Sequence, residues 1–146
     1  MAAKVTSSGE YANNLLKLIF NATNYANMAD NASSAPFTNL YVSLHTADPG
    51  ASGTQTTSEA AYTSYARVAV ARTSGGWVVT TNSVSPAATV IFPAATGGSE
   101  TETFAGIGTS ASGAGHLLYR GPITPNIAVS SGVTPELTTG STVTET

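Results

Sequence analysis

The chain of 146 residues carries two histidines, eight acidic and five basic side chains, and no cysteine. Little acid–base or nucleophilic chemistry is therefore within its reach, and a thiol nucleophile, a cysteine-ligated zinc site and a disulfide framework are excluded. His45 and Asp48 lie close together among serines and threonines, the residue types of a Ser-His-Asp triad. No Gly-x-Ser-x-Gly elbow accompanies them, and Asp48 is explained by the turn Ala47-Asp48-Pro49-Gly50. No catalytic residue is predicted. His45 and His116 are far apart and the acids are scattered. Glu100 and Glu102 share a strand face, which reads as a solvated edge or the polar rim of a subunit contact rather than a calcium site. The glycine-rich stretch Gly106–Gly115 lacks a following helix that could cradle a phosphate, so it reads as a connection between strands. No metal and no cofactor are expected.

The residues suited to meeting another protein are arginines, aromatics and one helix face. Arg67, Arg72 and Arg120 hold most of the positive charge. On sheet strands they could pair with Glu59, Glu100 or Glu102, or fix a docking register between subunits. Tyr62, Tyr65 and Tyr119 are aromatic candidates for a contact, and Trp77 reads as a core residue. Near the N-terminus, Tyr11, Leu15, Leu18, Ala22 and Tyr25 or Ala26 recur at spacings of three and four. This predicts an α-helix over about Gly9 to Asn24, with Leu16, Ile19 and Phe20 widening its apolar face. Ser7-Ser8-Gly9-Glu10 supplies a capping box, and Ala35-Pro36 ends any remaining turn. Such a face packs on its own domain or docks on a neighbouring subunit. The candidate contact residues are Tyr11, Leu15, Leu18, Ile19, Tyr62, Tyr65, Arg67, Arg72 and Arg120.

The elements that must position these side chains are mostly strands. From Thr38 the period switches to two, with Leu40, Val42 and Leu44 alternating with Tyr41, Ser43 and His45. Ala51 to Thr63 reads as a long loop, and Arg67 to Arg72 as a second strand. Ser74-Gly75-Gly76 reads as a hairpin-type turn into Trp77–Thr80. Further short strands are expected near 89–92, 103–107, 116–119, 127–129 and 141–144. About eight strands with regular turn signals predict a mainly β chain, an antiparallel β-sandwich or jelly roll with one N-terminal α-helix. The expected organisation is a helical arm over residues 1–36 and a β-sandwich over 37–146, one domain overall, with a polar tail from Thr138.

Composition narrows the class of function. Charged residues make up 9% of the chain, against about 25% in an ordinary soluble domain. Seventeen serines and 23 threonines supply the polarity instead. A surface of small hydroxyls repels its neighbours weakly and suits packing against other proteins. A net charge of −3 argues against nucleic acid as a direct partner. No apolar run is long enough to span a membrane, and Met1-Ala2-Ala3-Lys4 does not open a targeting signal.

Three stretches carry a resemblance: Leu40-Tyr41-Val42-Ser43-Leu44-His45-Thr46-Ala47-Asp48-Pro49-Gly50, Tyr65-Ala66-Arg67-Val68-Ala69-Val70 and Val90-Ile91-Phe92-Pro93-Ala94-Ala95-Thr96. Together with the helix Asn14–Asn21 they resemble small virion proteins of tailed bacteriophages, often labelled tail-fibre-like. In size and inferred architecture the chain also resembles the jelly-roll cement proteins that decorate podophage capsids. The resemblance implies a structural, non-enzymatic role in the virion, assembled in the bacterial cytoplasm. The resemblance leaves the place on the virion open; composition and a short chain with one sandwich and a helix point to a capsid cement protein bound to the outside of the major capsid protein shell, with self-association into dimers or higher oligomers. The alternative is a tail or tail-fibre component involved in host attachment.

Overall fold

A computed structural model describes residues 10–24 and 37–145. Among them the chain forms one helix and nine strands, mainly β with antiparallel pairing, as the alternation predicts. The chain divides into two compact units. Among the described residues, one draws on 10–24, 37–38, 71–89 and 138–145, the other on 39–70 and 90–137.

The first unit holds helix α1 (Glu10–Asn21) and three of the strands. These are β3 (Trp77–Thr80), β4 (Ser83–Pro86) and β9 (Val143–Thr144), ordered β3-β4-β9. The buried stripe of α1 is Ala12, Leu16 and Phe20. Leu15 and Leu18, expected on the apolar face, and Ile19, expected to widen it, are only half-buried. The register follows from packing: Phe20 meets Trp77 edge-on with ring centroids 4.8 Å apart, and an aromatic pair of this kind contributes about 0.5–1.5 kcal/mol beyond its buried area. The helix stops at Asn21 rather than Asn24 because Ala22 adopts a left-handed backbone with φ +52°. The Thr23 amide then donates to the Lys17 carbonyl. The Arg72 guanidinium donates to the carbonyls of Leu18 and Ile19. It thereby satisfies two acceptors that a helix end leaves without an internal partner. The capping box at Ser7, the Tyr11 side chain, Tyr25, Ala26 and Ala35-Pro36 lie outside the described residues.

The second unit is built on a four-stranded sheet ordered β2-β1-β6-β7. Its strands are β1 (Asn39–His45), β2 (Val68–Ala71, whose last residue belongs to the first unit), β6 (Ser99–Gly108) and β7 (Leu117–Ser130). A two-stranded pair of β5 (Val90–Ile91) and β8 (Glu136–Leu137) completes it. Leu40, Val42 and Leu44 are buried as expected, but so are Ser43 and His45 on the other face. β1 is therefore covered on both sides, not half-buried.

Two local expectations need correction. Ser74–Gly76 does not close a hairpin: β2 and β3 belong to different sheets, and the hairpin is β3–β4, closed by Thr81-Asn82 with Thr80 opposite Ser83. The strands expected at 116–119 and 127–129 are one strand, β7. Its prolines read as breaks, yet β7 is an edge strand, where a missing amide donor is tolerated. The ladder jumps from Glu102–Ile127 to Phe104–Pro122, so β7 bulges over residues 123–126 and continues. The short strands β4 and β8 carry too few apolar residues for the alternation to be seen.

Candidate functional site

Each ionisable side chain near β1 is held by its own unit. His45 is fully buried. Its Nδ1 lies 2.9 Å from the Thr57 carbonyl and its Nε2 lies 2.9 Å from Ser43 Oγ. A carbonyl only accepts, so Nδ1 carries the proton and Nε2 accepts from the Ser43 hydroxyl. Burial is the largest influence on His45 and lowers its pKa below 6.5. This is the hydrogen-bonding pattern of a serine paired with a base, but both side chains are fully buried. A Cβ at Gly106 would stand 2.7 Å from Ser43 Oγ and from His45 Nε2, so no substrate atom fits beside the pair. Asp48 takes no part in it. Its carboxylate accepts from the Gly50 amide at 2.8 Å and pairs with Arg120.

Next to this pair lies an open groove of about 310 Å³. Tyr65, Glu59 and Arg67 form one wall, and residues 111–113 of the glycine-rich connection form the other. Glu59 accepts from Arg67 Nε at 2.6 Å, from Arg67 Nη2 at 2.7 Å and from the Tyr65 hydroxyl at 3.1 Å. Arg67 also donates to the carbonyls of Ser110 and Gly113, each at 2.8 Å. The Tyr65 hydroxyl accepts from the Leu44 amide at 3.1 Å, and burial, ahead of every other influence, raises its pKa. The Arg67 side chain is only 2% exposed. Removing one partner of such an ion pair costs about 3–5 kcal/mol, because the other charge stays buried. Its donors are spent on internal acceptors, which leaves the groove poorly equipped to hold an anion. The glycine-rich stretch does join β6 to β7, and it wraps Gln55. Gln55 Oε1 accepts from the Ser110 amide at 2.9 Å, and the Gln55 amide donates to the Ala114 carbonyl at 2.8 Å.

The acidic pair on β6 differs from the expected solvated edge. Glu102 is fully buried. Burial first, then the neighbouring Glu100 carboxyl, pushes its pKa up to about 8. Glu100 Oε1 accepts from the amides of Ala61 and Tyr62, both at 2.8 Å. The two carboxyls do share a strand side, as their spacing implies.

Of the residues singled out as contacts, Tyr62 is buried and its hydroxyl donates to the Pro93 carbonyl at 2.9 Å. Tyr65 stands between Tyr62 and Phe92, with ring centroids 5.3 Å and 6.4 Å away. Arg67 pairs with Glu59, one of the acids named for it, whereas Arg72 serves helix carbonyls and Arg120 takes Asp48. The large apolar side chains exposed among the described residues are Phe37, Val78, Ile91 and Leu118. Sequence reasoning did not single them out; Val78, Ile91 and Leu118 lie within strands, where isolated apolar residues read as core. Among the described residues no group of three or more His, Asp or Glu side chains could hold a metal. No described helix is long and apolar enough to cross a membrane.

No curated protein matches the chain. A family model described as podophage GP4 fiber I protein gp80 matches residues 7–145. That match covers nearly the whole chain, including the Leu-His-Thr-Ala-Asp-Pro-Gly turn and the glycine-rich connection. The chain therefore belongs to the podophage GP4 fiber I protein gp80 family, and it is a phage virion structural protein of the fibre type.

Proposed function

We propose that the chain is a fibre component of a podophage tail and that it contributes structure, not catalysis, to host attachment. The match to a fibre family across residues 7–145 carries this reading. The internal pairing of the chain's functional groups supports it. His45, Glu59 and Arg67 are each bonded within their own unit, and the Ser43–His45 pair is sealed from solvent. Each unit's own sheets give it a stiff framework. Copies of the same chain and other tail proteins are the partners, met through a surface poor in charge and rich in hydroxyls. The half-buried Leu15, Leu18 and Ile19 on α1, the Tyr11 position and Arg120 remain the proposed contact residues. A capsid cement role bound to the major capsid protein is the competing reading. Cryo-electron microscopy of virions labelled with an antibody against this chain separates the two. Label confined to the tail is expected, and label spread over the capsid shell overturns the fibre reading in favour of cement.

A further inference from the structure

We propose that Glu100 and Glu102 form a proton-loaded latch: a single proton kept by the pair fastens the connection between β1 and β2 to β6, and its loss unfastens that connection at Ala61 and Tyr62. The inference stands on the acidic pair alone and is independent of the fibre reading.

The geometry is specific. Two backbone amides of the connection, Ala61 and Tyr62, both donate to one oxygen, Glu100 Oε1, at 2.8 Å. On either side the connection is pinned by ordinary backbone pairing, through Ala60 to the Leu44 carbonyl and through Thr63 to Gly97. The carboxylate thus takes the two amides that lie between those pairings. Two residues along, Glu102 is fully buried, and among the described residues no donor reaches either of its oxygens. A buried carboxylate with no donor is unfavourable, whereas a neutral carboxyl beside an ionised one is the stable arrangement.

Among the described residues, the groups facing Glu102 give it no cation. Glu100 faces it from its own strand. Tyr62 faces it from the connection, with a phenol pushed up to about 12 by burial first and then by Glu102 and Glu100. From β7, the opposing residue is Ile127, flanked in the ladder by Ala128 and Val129, none of which titrates. When Glu102 loses its proton, two anions lie side by side. Glu102 is sealed in, but Glu100 is only half-buried. Relief therefore comes from Glu100 turning to water, which takes its oxygen away from the Ala61 and Tyr62 amides.

Two measurements on the intact chain test the latch. The first follows the Glu102 side-chain carboxyl by carbon-13 NMR, with an expected midpoint near pH 8. A midpoint in the ordinary carboxylate range overturns the proposal. The second follows hydrogen exchange at Ala61 and Tyr62 between pH 7 and 9.5. After correction for intrinsic exchange, their protection is expected to fall by about tenfold or more, while the Val42 amide on β1 stays protected. In Glu102→Gln, which keeps the shape and cannot ionise, the fall should vanish. Equal pH profiles in the two proteins overturn the latch. If Glu102→Gln does not fold, the wild-type titration and exchange decide it by themselves.

Discussion

Gly106 is where a single hydrogen in place of a side chain decides whether the buried pair can form. A methyl there would stand 2.7 Å from Ser43 Oγ, His45 Nε2 and Leu117 Cδ1. Gly106→Ala is expected to lower stability by about 1–3 kcal/mol through overpacking, measured by urea unfolding. His45 gives a second outcome at this scale. Its folded pKa lies below 6.5, so its contribution is complete above pH 6.5 and is lost as pH falls and the unfolded chain takes up the proton. Glu102 acts with the opposite sign: its raised pKa favours folding most in acid, and the gain disappears as pH rises through about 8. The two oppose one another between about pH 4.5 and 6.5, so each must be measured as a difference. The stability of wild type over His45→Gln should shrink from pH 7.5 to 5.5, and that of wild type over Glu102→Gln should grow. Urea midpoints at the two pH values check both signs. Sequence gave little warning of these burials, because neither the Ser43–His45 spacing nor the Glu100–Glu102 spacing says which face of a strand is covered. Both faces of β1 and the Glu102 side of β6 are closed by parts of the chain distant in sequence.

Among the elements, α1 is fastened at one end by a residue from another segment. Arg72 holds the carbonyls of Leu18 and Ile19 and reaches that of Phe37 at 3.3 Å. Hydrogen bonds from a charged donor contribute about 1.5–3 kcal/mol each at most. Arg72→Ala is therefore expected to cost about 2–3 kcal/mol and to lower helical circular dichroism. Ala22→Gly acts in the other direction. The left-handed backbone at φ +52° costs a residue with a Cβ about 1–2 kcal/mol, and glycine should recover part of that as a higher Tm. The helix itself was legible from its three-and-four spacing. Its buried stripe was not, because the choice between Leu15–Leu18 and Leu16–Phe20 is made by Trp77, and periodicity does not contain Trp77. The strands with clear alternation, β1, β2 and β3, were legible for the same local reason. The long β7 was not, because tolerance of proline depends on lying at a sheet edge.

For the whole molecule, composition and one stretch of sequence pointed to different things. Charge at 9% with 40 hydroxyl side chains pointed to a protein that lives among proteins. The Leu-His-Thr-Ala-Asp-Pro-Gly stretch pointed to a phage virion. The family match supports the fibre side of that resemblance and leaves the cement reading without support of its own. Location on the particle depends on which surface meets a neighbour, and no property of a single chain's core encodes it. Copy number does separate the two, because tail symmetry and capsid symmetry repeat a subunit very differently. The decisive measurement is quantitative mass spectrometry of purified virions, scaled to the major capsid protein. A fibre component is expected on the order of ten copies per particle, a small multiple of the tail's symmetry. A value in the hundreds, close to that of the capsid protein itself, would contradict the tail assignment.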